Sequence, residues 1–207
     1  AQCGMKLPDW QKVCSETTHI INCAASVEFD LPLKDAAKAN VTSCLQVLTL
    51  AKSIKKLQHM VSVSTAYVSP YQGDKKYPEL LVKLPFDPEK VYQDIISGHF
   101  DETKLLKSTG HPNTYTFTKC LAEHLLANNR EHVRMSIVRP SIVSASYENP
   151  MMGWIDSRAA FAAFVSLIGT GHLNVVVGDG KSFLDVVPCD FVAKQIIDVT
   201  FLSKPHP

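Results

Sequence analysis

Residues 113–126, NTYTFTKCLAEHLL, set Tyr115 and Lys119 four positions apart at the start of an apolar-periodic stretch. On a helix that spacing puts both side chains on one face. A tyrosine ordinarily ionises near pH ~10, too high to exchange a proton readily at neutrality, and an ammonium a few ångströms away favours the phenolate. Each pH unit of such a shift corresponds to about 1.4 kcal/mol, within the reach of one desolvated cation. The pair therefore has the make-up of a general acid/base. The lysine is also able to donate to the ribose hydroxyls of a dinucleotide, and a hydroxyl such as Thr65 to hold a carbonyl oxygen beside the phenol. Spacing alone does not single the pair out, because Tyr71 and Lys75 in YQGDK match it too. That second pair lies among Pro70, Gly73 and Pro78, which break regular structure and leave no common face.

The elements that must position Tyr115 read as strands alternating with helices. THIINCAAS (18–26) predicts a first strand, and the apolar spacing of 32–54 a helix containing Asn40. HMVSVSTAYVS (59–69) predicts a second strand, and RMSIVRPSIV (134–143) a third. Asp87 and Pro88 read as the cap and first residue of a helix, and helical spacing returns near 157–168. LNVVVGDG (173–180) follows, then a last helix with Asp190 as N-cap. This alternation predicts an α/β fold with a doubly wound parallel sheet and helices on both faces. Chemistry then gathers beyond the carboxyl ends of the strands. Ala24, Ala25 and Ser26 follow the first strand, Ser64 and Thr65 the second, and Arg139 and Pro140 the third. The long interval between Thr65 and Tyr115 suggests that 70–110 is an inserted, partly helical flap over a substrate channel, or else a plain surface insertion.

With 207 residues and 45% apolar content the chain can bury one substantial core, so one domain is expected. A net charge of +1 leaves no electrostatic footprint for nucleic acid or an anionic membrane. The longest apolar run, FAAFVSLIG (161–169), is far short of the roughly 20 residues of a membrane span. Six cysteines, irregularly spaced and without a C-x-x-C, predict reduced core thiols in an intracellular protein. The sequon NVT (40–42) falls in a helical pattern, and the histidines show no metal-ligand spacing, so no metal site is expected. The chain opens on Ala1 and reads as a piece of something longer.

STA after a strand, Tyr-x-x-x-Lys on the next helix, the asparagine of KANVTS and RPSIV together resemble the extended short-chain dehydrogenase/reductases. More narrowly, VSTAYV, NTYTFTKCLAEHLL, SIVRPSIVSASYENPMMGWIDS and DVVPCDFV are similar to the alcohol-forming fatty acyl-CoA reductases. The resemblance runs through most of 18–198. It implies a Rossmann-like sheet and NADPH-dependent reduction of a long-chain fatty acyl-CoA to fatty alcohol by way of the aldehyde. It makes Tyr115 the proton donor, Lys119 its partner and ribose anchor, and Thr65 the carbonyl-orienting hydroxyl, with Ser64 a lesser substitute. It gives Asn40 a water and proton relay, where the bare residue could instead merely bond a neighbouring backbone. Ala24, Ala25 and Ser26 would line the adenosine side, Pro140 and Ile142 the nicotinamide side, and Trp154 the acyl pocket. Residues Phe161, Phe164, Val165 and Leu167 would wall a hydrocarbon channel or form a core helix. An endoplasmic reticulum or peroxisomal membrane is implied too, reached through segments not in this sequence.

One departure stands out. The Gly-rich turn that opens such domains and receives the pyrophosphate is not present, since GTGH and GDGK come at the far end. The chain is thus expected to be the C-terminal part of a single NAD(P)-binding reductase domain lacking its first strands. A sugar-nucleotide epimerase on the same scaffold remains an alternative, as does an inactive fragment or interaction domain. A dehydratase is disfavoured, because Ala66 and Tyr67 stand where two acids would follow the hydroxyl.

Overall fold

Short β-branched runs closed by small or polar residues give three parallel strands: β1 (His19–Asn22), β2 (His59–Val63) and β3 (Met135–Val138). In the computed structural model, which describes residues 3–71, 76–157 and 160–202, they form one sheet in the order β1-β2-β3. Ile21 is in register with Val61, and Val61 with Ser136. Because the strands are parallel, the three carboxyl ends share one edge, and each connection must cross over through helices. A first helix, α1 (Leu7–Glu16), precedes β1. The crossover from β1 to β2 is α2 (Leu33–Ala37), a π turn over Lys38–Thr42, and α3 (Ser43–Ser53). That from β2 to β3 carries α4 (Pro88–Ser97), α5 (Glu102–Thr109) and α6 (Thr114–Asn129).

Local chemistry sets these boundaries. The Asp87 carboxylate accepts from the Glu89 N–H at 2.9 Å, Pro88 starts α4 where no N–H is needed, and Gly98 ends it at φ +87°. The Asn113 side chain caps α6 by accepting from the Thr116 N–H at 2.9 Å. One core cluster joins Leu33, Ala37 and Val41 to Val91, Tyr92, Ile95, Phe117 and Leu121. A second joins Cys44 and Leu48 to Met60, Leu126 and Val133. Within 70–110, therefore, α4 contributes directly to the core; among the described residues, 76–87 forms neither helix nor strand, and its Leu84 and Phe86 rest on the first cluster.

The chain divides into two compact units, Ala1–Arg139 with Thr200–Pro207, and Pro140–Val199. The expected strand 134–143 is broken at this boundary. β3 stops at Val138, Pro140 has no N–H to give a ladder, and β4 (Ile142–Ser144) pairs in parallel with β5 (Val186–Pro188) in a separate sheet. The expected strand 59–69 likewise ends early, because Thr65 caps a 3-10 turn over Ala66–Val68. LNVVVGDG forms no strand: Val175, Val176 and Val177 are exposed. In the second unit α7 (Ala160–Gly169) exposes Phe164, Val165, Leu167 and Ile168, so it is not a core helix. The final helix, α8 (Cys189–Leu202), begins one residue before Asp190. The Asp190 carboxylate accepts from the Tyr147, Glu148 and Asn149 N–H groups at 3.0, 2.9 and 3.1 Å, which hold its pKa down to about 2.

All six cysteines are free; Cys44 and Cys120 are buried thiols, whereas Cys23 is exposed. Asn40, the sequon residue, is buried in the π turn.

Two buried polar groups tie the layers together. The Arg139 guanidinium at the end of β3 grips Glu123 of α6 with two bonds of 2.9 and 2.5 Å, and donates to the Leu80 carbonyl at 3.0 Å. Glu123 is 2% exposed. Arg139→Met strands that carboxylate, and a drop of about 3 kcal/mol in unfolding free energy is expected, read as a lower denaturant midpoint at unchanged slope. The buried His111 ring donates from Nε2 to the Val68 carbonyl at 2.9 Å, with Nδ1 2.9 Å from the Thr109 hydroxyl. Burial lowers its pKa in the fold below the ordinary 6.5, against the Val68 bond. The unfolded chain therefore binds the proton first, and stability falls as pH drops below about 6.5. The stability advantage of the wild type over His111→Gln should shrink between neutral and mildly acid pH, measured by urea titration.

Candidate active site

The carboxyl end of the central strand β2 runs Val63, Ser64, Thr65, and α6 begins directly opposite it. Thr65 is buried and extended, and its Oγ1 accepts from the Tyr67 N–H at 3.3 Å. The same hydroxyl bonds the phenol of Tyr115 in the first turn of α6. One turn on, the buried Lys119 Nζ donates to the Val63 carbonyl at 2.8 Å. Thr65, Tyr115 and Lys119 are thus brought together at one strand end, as the helical spacing requires.

Their electrostatics differ from the sequence argument in one respect. Burial raises the Tyr115 pKa above its ordinary value, and the Thr65 bond opposes this only in part. The ammonium of Lys119 is turned to a backbone carbonyl, and burial lowers its own pKa, countered by Cys44, Cys23 and Glu123. At the phenol desolvation outweighs the Thr65 hydroxyl. Tyr115 is consequently held protonated, the form in which it can give a proton.

Asn40 bonds backbone, the plainer of its two expected roles. Its Oδ1 accepts from the Ser26 N–H at 2.8 Å, while Nδ2 donates to the Ser26 carbonyl and to the Thr118 hydroxyl, both at 3.2 Å. The π turn brings the amide to that position, fixing the residues after β1 against α6. Ala24 is exposed and Ala25 half-buried at this strand end, so no bulky side chain blocks the backbone there. Together with the Lys119 ammonium, these residues fit the adenosine and ribose portions of a dinucleotide. Pro140, Ile142 and Trp154 belong to the second unit. There Ile142 opens β4, and Trp154 closes a tight loop in which its N–H donates to Ser146 Oγ at 3.1 Å. Of the second tyrosine–lysine match, Tyr71 is 85% exposed and Lys75 lies outside the described residues.

Two residues escaped the sequence reading. Glu123 continues the Tyr115, Lys119 row by one more turn, and the four-residue spacing was there to find it. Ser64, read from sequence as a lesser substitute for Thr65, has a buried Oγ with no hydrogen-bond partner among the described residues. Phe29, whose ring centroid lies 5.5 Å from that of Tyr115, gave no signal at all, because the contact joins a loop to a distant helix.

The family model described as male sterility protein, an NAD-binding family, matches residues 1–196. Human fatty acyl-CoA reductase 2 is 30% identical over 201 residues, which cover 96% of this chain and 39% of that protein. Fatty acyl-CoA reductase 1 of Pongo abelii is 33% identical over 197 residues, covering 93% and 38%. The chain thus spans about two fifths of the length of these curated relatives. Among solved structures, the terminal R domain of the myxalamid PKS-NRPS biosynthetic pathway superposes with a TM-score of 0.68 at 21% identity, covering 96% of this chain and 43% of that one. UDP-glucuronic acid 4-epimerase from Bacillus cereus, in complex with UDP-glucuronic acid and NAD, gives 0.66 at 18%, covering 99% and 55%. At those identities the likeness speaks for the fold, an α/β arrangement of the Rossmann type. Matched along nearly its whole length, and with a strand-end site suited to a nicotinamide cofactor, the chain belongs to the male sterility protein family of NAD-binding domains.

Proposed function

We propose that this chain carries the catalytic part of a fatty acyl-CoA reductase, which converts a long-chain acyl thioester to the fatty alcohol through the aldehyde with NADPH. The observation that carries the reading is the meeting of Thr65, Tyr115 and Lys119 at the end of β2, with the phenol bonded to the threonine and kept protonated by burial. The relatives' names point to the same chemistry.

A carbonyl oxygen set between the Thr65 hydroxyl and the Tyr115 phenol receives a hydrogen bond from each, which fixes the carbonyl carbon for attack. The nicotinamide cofactor supplies the hydride when bound. In the first reduction the oxygen charge that develops is stabilised by the two hydroxyl donors and collapses as the C–S bond breaks, releasing CoA thiolate and leaving the aldehyde. In the second, Tyr115 gives its proton to the alkoxide oxygen, completing the alcohol. Lys119 stands one turn away to stabilise the phenolate left behind, and its charge is supported in turn by Glu123. Ala24, Ala25 and Ser26 take the adenosine side, with Lys119 on the ribose. Pro140 and Ile142 are assigned to the nicotinamide, and Trp154 to the acyl group, by family likeness.

An epimerase acting on a sugar nucleotide shares the fold and is the competing reading. Phe29, the apolar side chain packed against the phenol ring, is 60% exposed and favours a hydrocarbon over a sugar. No helix among the described residues is long and apolar enough to cross a membrane, so an endoplasmic reticulum or peroxisomal attachment would use other segments.

Consumption of NADPH by the full-length enzyme across short, medium and long acyl-CoA substrates tests the reading. Each methylene buried contributes about 0.8 kcal/mol, so kcat/KM should climb about fourfold per methylene until the apolar surface is filled. A flat series, or turnover of a UDP-sugar with none of any acyl-CoA, transfers the case to the epimerase.

A further inference from the structure

The segment joining β1 to α2 has no regular structure, yet other elements hold it at three places. Asn40 takes both backbone groups of Ser26, at 2.8 and 3.2 Å. The Thr114 hydroxyl, at the first residue of α6, donates to the Leu31 carbonyl at 2.8 Å, with the Phe29 carbonyl at 3.5 Å. Glu102 of α5 accepts from the Leu33 N–H at 2.8 Å. All these ties join residues far apart in sequence, so the loop is fixed in place by the helices around it. Val27 and Phe29 remain largely exposed on it, alternating with the exposed acids Glu28 and Asp30. The Phe29 ring meets the Tyr115 ring at a centroid distance of 5.5 Å and an angle of 36°, a close tilted contact. Thr114 and Tyr115 are neighbours, so one helical turn sets both the phenol and the loop that carries its cover.

We propose that Phe29 is a positioning and specificity residue: its ring covers the Tyr115 phenol ring and offers its open face to the methylenes next to the thioester carbonyl. The second half rests on the acyl-CoA reductase reading. The polar end of the phenol points to Thr65, so a carbonyl that reaches both hydroxyls leaves its adjoining atoms beside the apolar ring. Methylene groups gain from that surface, whereas the hydroxylated carbons of a sugar would lose water there without replacement.

The cover is tested without substrate, by treating wild type, Phe29→Ala and Phe29→Leu with tetranitromethane and mapping nitration at Tyr115 by mass spectrometry. Phe29→Ala should react severalfold faster at Tyr115, with Phe29→Leu close to wild type. Equal rates in wild type and Phe29→Ala overturn the proposal. With the full-length enzyme, Phe29→Ala should raise KM for long-chain acyl-CoA about tenfold, as expected for a partly buried aromatic surface. The effect on a short acyl-CoA should be small, and Phe29→Leu should restore most of the loss. An equal effect on short and long chains overturns the substrate-facing role. A wild type that reduces no acyl-CoA overturns the reaction and that role with it, while the nitration comparison still decides whether Phe29 covers the phenol.

Discussion

A lysine cannot be buried at a strand end without a partner for its ammonium, and much of this structure is arranged to supply one. Lys119 is 5% exposed, and its Nζ reaches the Val63 carbonyl where β2 releases its last ladder groups. That bond fixes the rotation of α6 over the sheet. Tyr115 then falls one turn earlier, against Thr65, and Glu123 one turn later, where Arg139 at the end of β3 claims it. One helix face thus carries donor, cation and carboxylate in a row, anchored at both ends to neighbouring strands.

The same burial decides the chemistry. A solvated phenol beside an ammonium drifts toward phenolate, whereas at Tyr115 desolvation outweighs the opposing Thr65 hydroxyl and retains the proton. For reduction this is the useful state, since the oxygen formed from the carbonyl must be given a proton. On the proposed reading, the lysine's part falls after transfer, when a phenolate has formed close to its charge.

Features that rest on local pattern were legible in the sequence. The cap Asp87, the three strands of the main sheet and the Tyr115, Lys119 face follow from short-range rules, and the strand ends pointed to Thr65. Features that depend on distant partners were not. The third strand read as continuous through Pro140 because periodicity does not register a missing N–H, and the valines at 175–177 have strand composition without a neighbour to pair with. Phe29 shares no helix or strand with Tyr115, and the Asp190 carboxylate closes a loop more than forty positions away. Sequence likeness pointed to the family; position at the strand ends pointed to the candidate site.

The central claim is that Tyr115, and no other tyrosine, gives the proton at this strand end. Turnover of a long-chain acyl-CoA by full-length Tyr115→Phe, beside Tyr71→Phe as the matched control, tests it most directly. Removal of a general acid typically costs about two to four orders of magnitude, so kcat for Tyr115→Phe should fall by that amount while Tyr71→Phe stays within a few fold of wild type. Equal losses in the two variants, or a Tyr115→Phe enzyme that keeps its rate, would contradict the account.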